Sequence, residues 1–240
     1  MLLYGLPAVL VHLPVVQRRL AAESGRVLSA VLRAPVRIDE VDITWPDGLT
    51  LRRVALDDRA GQPLLRADRL SGGIDLGALL RGQLRFTSAR LVGFDIHLRK
   101  ATPDSPLNAQ FILDAFASKD STSTGGVDFQ IRAIRLARGR VSYDVGHGQP
   151  EEGHFDAAHI RAEDIDAKAV LHVGRASSLR VELRRLRLRE RSGVELHGLS
   201  LDLIKRGPWL EARRIDLRLP RTRIRIDQAS VHLPLNVDDA

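Results

Sequence analysis

The chain has 240 residues, of which 44% are apolar and 28% charged, with a net charge of +7. It is too apolar for a disordered chain, and long enough for one large or two small domains. The absence of cysteine excludes a disulfide scaffold, thiolate zinc sites and cysteine nucleophiles. Aromatic residues make up only 4% and methionine occurs once, so a core must be built from Leu, Val, Ile and Ala. Between Arg175 and Arg225 stand 15 Lys or Arg against 6 Asp or Glu, which places any anion-attracting surface in the C-terminal quarter.

The run Leu2 to Val16 is uncharged for 15 residues, and apolar residues then recur at Leu20, Val27, Leu28, Val31 and Leu32. This spacing predicts one helix from about Leu3 to Arg33, bent near Pro14 and loosened at Gly25. A bilayer core needs about 20 apolar residues, so the run falls short of a full span. It also lacks the basic start and small-residue cleavage site of a secretory signal. A signal anchor without its cytoplasmic start reconciles these features, and a buried or amphipathic helix plugging a β structure is the alternative.

From Pro35 onward the period becomes two. Val41/Ile43/Trp45, Leu49/Leu51, Leu84/Phe86, Phe94/Ile96/Leu98, Val127/Phe129/Ile131, Val181/Leu183, Val194/Leu196, Leu199/Leu201/Leu203, Ile215/Leu217/Leu219 and Ile224/Ile226 each predict a strand with one apolar face. Turn residues at 46–48, 58–61, 138–139, 191–193 and 206–208 separate them. The reading gives about 13 strands, joined mainly as antiparallel hairpins. Leu76 to Leu80 reads as a helical turn, Leu107 to Ala117 as a short amphipathic helix, and Ser118 to Gly126 as a linker-like break. The domains expected are therefore residues 1–34, a helix, and 35–240, a mainly β region.

Strands alternating Arg with Leu or Ile, as in RVELRRLRLRERSG and ARRIDLRLPRTRIRID, put their guanidinium groups on one face. That face reads first as a solvated exterior. Nucleic acid is disfavoured as a partner, because Trp209 is the only aromatic residue of the basic quarter. The apolar face needs cover, either from a second sheet or by curling into a trough whose natural occupant is an acyl chain.

Enzymatic motifs are thin. His147, Glu151, Glu152, His154, Asp156 and His159 cluster in sequence, but without HExxH or a helix to align them, and no metal or other cofactor is expected. There is no GxSxG, and Gly72-Gly73 has no phosphate-loop Lys. Asp57-Asp58 reads as an exposed strand end and turn, without raised carboxylate pKa values. Trp45 and Trp209 read as rim packing beside turns. No catalytic residue is expected.

The order "strand, D-D-x-x-G turn, L-L-x-A, I-D-L-x-x-L-L-x-G, strand" over Leu49 to Gly93, the helix LNAQFILDAF and the ERSG turn resemble the N-terminal region of the TamB proteins, AsmA-like envelope proteins of diderm bacteria. The resemblance implies an elongated, curled antiparallel β-groove in the periplasm, held to the inner membrane by an N-terminal signal anchor. It further implies phospholipid as cargo, and an outer-membrane barrel partner in autotransporter and outer-membrane protein assembly, met through a C-terminal domain beyond this chain.

On the leading expectation, a lipid conduit, the candidate wall residues are Val41, Ile43, Leu51, Leu84, Phe86, Ile96, Leu98, Phe129, Ile131, Leu183, Leu196, Leu217, Ile224 and Ile226. Two alternatives stand beside it. One is a β scaffold pairing strands with client or partner proteins, with Val231 to Val237 as a candidate edge weakened by Pro234. The other is a basic surface that binds polyanions with steep salt dependence.

Overall fold

A strand whose apolar residues shift by one position partway along would turn half of them to the wrong face, unless the backbone itself flips there. This chain uses that device repeatedly. The computed structural model describes residues 25–26, 29–30, 32–44, 48–74, 86–112, 129–146, 148, 154–173 and 179–232. They form one sheet of ten strands in chain order: β1 (Val36–Thr44), β2 (Gly48–Asp57), β3 (Pro63–Ile74), β4 (Phe86–Lys100), β5 (Phe129–Val145), β6 (His159–Val173), β7 (Leu179–Glu190), β8 (Glu195–Arg206), β9 (Trp209–Arg218) and β10 (Arg223–His232). All neighbours are antiparallel except β4 and β5, which run parallel. Parallel neighbours need a crossover of a dozen residues or more. The connection 101–128 supplies it, and its described part seats Phe111 among Ala34, Leu56 and Leu64.

The flip is made by single residues in the left-handed region. Arg53 in β2, Gly93 in β4, Arg138 in β5, Asp164 in β6 and Arg214 in β9 have φ between 50° and 61°. In β2 the buried Leu51 and Val54 stand three apart across Arg53, and in β6 the buried Ala162 and Ile165 stand three apart across Asp164. Each kink resets the alternation, so one face stays apolar from end to end. A single row of directly paired residues crosses the whole sheet: Val41, Leu51, Leu70, Leu91, Leu136, Ala167, Leu186, Leu199, Leu217 and Ile224. The expectation of about 13 strands is corrected to ten among the described residues for this reason, since a flip within one strand reads in sequence as a boundary between two. Phe86 and Phe94/Ile96/Leu98, for example, all lie in β4, on either side of Gly93.

Burial is uneven along the sheet. The main core joins Ile38, Val41, Leu51, Val54, Ala67, Phe94, Ala162 and Ile165. Phe94, 2% exposed, lies across Gly139 of the neighbouring strand, where a β-carbon would collide with its ring. Among the described residues no apolar side chain of β7 to β10 is buried, and every residue of β10 is exposed.

The curled groove is corrected. The strand order is linear, β1 and β10 do not pair, and the sheet is largely flat, neither closed nor strongly curled. Alternation fixes which face a side chain takes and leaves curvature open. The N-terminal helix expected from about Leu3 to Arg33 is cut back to what is described, since residues 1–24, 27, 28 and 31 lie outside the described residues. Among the described residues, helix before β1 is limited to positions 25, 26, 29, 30 and 32. It ends where Arg33 turns left-handed (φ 51°) and the Ala34 N–H bonds the Ser29 carbonyl at 3.2 Å, a Schellman-type stop. Among the described residues no helix is long and apolar enough to cross a membrane, so the single-pass inner-membrane anchor is withdrawn. The run Leu2 to Val16, the turn at Leu76 to Leu80 and the break at Ser118 to Gly126 lie outside the described residues. Of Leu107 to Ala117, helix is described at residues 110–112.

Candidate functional site

The two edges of the sheet differ. At β1, Ser29 closes the first outward position, its Oγ accepting the Val36 N–H at 2.8 Å. At β10 the apolar face of the sheet reaches solvent. Ile224, Ile226, Ala229 and Val231 stand opposite Leu217, Ile215, Ala212 and Leu210. Ile224, Ile226 and Val231 are 41%, 44% and 57% exposed.

The β9–β10 turn fixes which backbone groups are free. The Leu219 N–H donates to the Thr222 carbonyl at 2.8 Å, so residues 219 and 222 form a hydrogen-bonded pair. Antiparallel pairs alternate, which makes Ile224 and Ile226 the next residues bonded to β9. Arg223 and Arg225 therefore turn their N–H and C=O groups away from the sheet. Their side chains take the polar face. Arg223 holds Asp216 by two bonds, Nε to Oδ1 at 2.8 Å and Nη2 to Oδ2 at 2.6 Å, and Arg218 adds a third at 3.0 Å. The Arg223 and Arg218 guanidiniums hold the Asp216 carboxyl well below the usual carboxylate range. Arg225, directly opposite Asp216, has no ion-pair partner among the described residues.

The structure distributes the sequence-predicted wall residues along this apolar face. Val41 and Leu51 are buried in the core; Ile96, Leu98, Ile131, Leu183, Leu196 and Leu217 are half-buried; Ile43, Ile224 and Ile226 are exposed. Leu84 and the side chains of Phe86 and Phe129 lie outside the described residues. Two hollows, of about 380 and 350 Å³, open instead on the polar face. The first is lined by residues that include Arg184, Arg185 and Arg218, the second by residues that include Arg52, Arg69 and Arg138. With a flat sheet and its hollows among arginines, the lipid conduit and phospholipid as cargo are withdrawn.

Sequence reading also missed a buried carboxylate hub. Asp57 and Asp58 are 7% and 5% exposed, so their expected exposure is corrected. Asp57 pairs with Arg37 at 3.0 Å and Arg66 at 2.5 Å. Asp58 Oδ1 accepts the Ala60 and Gln62 N–H groups, and Oδ2 accepts from Arg99 at 3.2 Å and Asn108 at 3.3 Å. Burial pushes the Asp58 carboxyl up, but the Gln62, Asn108 and Arg99 donors outweigh it and the net direction is down. A carboxylate held ionised by donors on every side is a structural clamp joining the β2–β3 turn to β4 and the segment behind it. The D-D-x-x-G spacing was the available signal; it marked a turn without marking its burial.

The His and acidic cluster resolves into one local pair, His159 Nδ1 with Asp156 Oδ2 at 2.7 Å, while His147, Glu151 and Glu152 lie outside the described residues. Among the described residues no group of three metal-ligating side chains is present. Trp209 is exposed and packs edge-on to His232 at 4.8 Å. Of the candidate edge Val231 to Val237, only Val231 and His232 are described.

No family model matches the chain, and neither does any curated protein or solved structure. The envelope, lipid-transport and outer-membrane-partner roles that came with the TamB resemblance are accordingly withdrawn.

Proposed function

We propose that the chain is a β scaffold that takes an extended segment of a partner protein onto the outer edge of β10, which pairs with no further strand among the described residues. The observation that carries this reading is the state of that strand: ten residues long, without proline, exposed on both faces, with outward backbone groups at Arg223 and Arg225 and the apolar row ending in Ile224. Natural edges are ordinarily shortened, covered or broken by proline, and an edge left long and uncovered is a template for strand addition. β1, by contrast, has its first outward position closed by Ser29.

The partner is a segment alternating aliphatic with acidic residues. Aliphatic side chains would continue the face of Ile224 and Ile226. Carboxylates would meet Arg223 and the unpaired Arg225 on the other face, where opposite charges across strands are favourable.

The chain has no cysteine, so a single labelled cysteine introduced at Ala229 reports binding without interference. A ten-residue peptide alternating isoleucine and glutamate is expected to bind the parent. Arg225→Gln keeps the outward N–H and should bind several-fold more weakly. Arg225→Pro removes that N–H without touching a β9 bond, and should abolish binding while leaving the fold intact by circular dichroism. Equal binding by the parent and the proline variant would remove the reading.

A further inference from the structure

We infer that the polar face carries a binding site for an unbranched polyanion, built by strand register rather than by a pocket. Arg90 of β4 pairs with Arg135 of β5, Arg135 with Lys168 of β6, and Lys168 with Arg185 of β7. Four cations thus stand side by side on four adjacent strands, each one residue away from the apolar row on the opposite face. All four are exposed, and none has a hydrogen-bond or ion-pair partner among the described residues.

A soluble outer face explains charge on these strands but not this alignment. Like charges directly opposite one another destabilise a sheet. Elsewhere the same face neutralises its arginines: Arg53 with Asp39 and Glu40, Arg140 with Asp95, Arg189 with Asp164. The ladder is bounded by Ser71 on β3, which pairs with Arg90. At strand spacing it spans about 14 Å perpendicular to the strands.

An occupant must therefore present several negative groups in a line, as a phosphate polymer does, and a single anion would engage one or two cations only. The row holds no aromatic residue on which a base could stack, which separates this ligand from single-stranded nucleic acid.

The test uses the full chain with long-chain inorganic polyphosphate and with tripolyphosphate. Long chains are expected to bind about tenfold tighter per phosphate than tripolyphosphate, with affinity falling steeply as salt rises. The triple variant Arg90→Gln, Arg135→Gln, Lys168→Gln should lose at least about tenfold, and a charge-matched control, Lys205→Gln, Arg206→Gln, Arg221→Gln, less than about threefold. The ladder variant should melt no lower than the parent, because it relieves opposed like charges; if it does unfold, Arg135→Gln alone is compared with Arg206→Gln, with the same ordering expected. Equal losses in ladder and control, or chain-length independence, would overturn the inference. Tighter binding of an oligothymidylate than of polyphosphate of equal charge would overturn it in favour of nucleic acid.

Discussion

Asp58 shows how one side chain can hold three segments. Its carboxylate is buried, and survives there in ionised form because the Ala60 and Gln62 amides, Arg99 and Asn108 all donate to it. Its folded pKa lies below the ordinary 3.8. The unfolded chain therefore takes up the proton first as pH falls, so the stabilisation is fully present above the unfolded value and is lost as pH drops through the folded one. Asp58→Asn should cost about 2 kcal/mol at pH 7. Below about pH 4 it should make stability less sensitive to acid than in the parent, as urea melts across pH 2.5 to 7 would show. A parallel pair of pH profiles would mean that the carboxylate is not ionised in the fold. Gly139 makes the opposite point, since its missing side chain is what matters. Phe94 occupies the space of its β-carbon, so Gly139→Ala should cost about 3 kcal/mol, with part of that recovered in a Phe94→Leu background.

Within a strand, the unit that matters is the kink. Arg214 sits left-handed (φ 52°) where β9 shifts register against β8, between the pairs Ser200–Asp216 and Asp202–Arg213. Arg214→Ala and Arg214→Gly both remove its ion pair with Asp202, but only glycine relieves the β-carbon clash of that conformation. The glycine variant should therefore be the more stable of the two by about 1 kcal/mol in denaturant melts. An alanine variant as stable as the glycine one would place the kink elsewhere. These kinks also explain what sequence could and could not give. Leu199/Leu201/Leu203 and Ile224/Ile226 announced strands and faces correctly, because alternation depends only on the residues themselves. The left-handed residues are mostly arginine and aspartate rather than glycine, so a turn signal marked the flip only at Arg138, beside Gly139, where it was read as a boundary between strands rather than a flip within one. The β10 edge was legible only at its end, since the expected edge Val231 to Val237 meets β10 at Val231 and His232 alone, and the ladder from Arg90 to Arg185 was not legible at all, because it exists only once register has set four distant segments side by side.

Across the whole molecule, stability should decline from one end to the other. The described buried apolar residues belong to β1 through β6 and their flanking segments, and β10 buries nothing. Each strand touches chiefly its two neighbours, so the sheet behaves as a one-dimensional array in which local opening costs only the contacts beyond the break. Native-state hydrogen exchange should then find amides of β2 to β4 opening only with global unfolding, while those of β9 and β10 open at a small fraction of that free energy. A chain ending after Leu219 should keep its β1–β9 sheet and nearly the full stability of β2 to β4. If β10 amides instead proved as protected as those of β3, the strand would already be covered in solution, and strand addition at its edge would need another chain to displace what covers it.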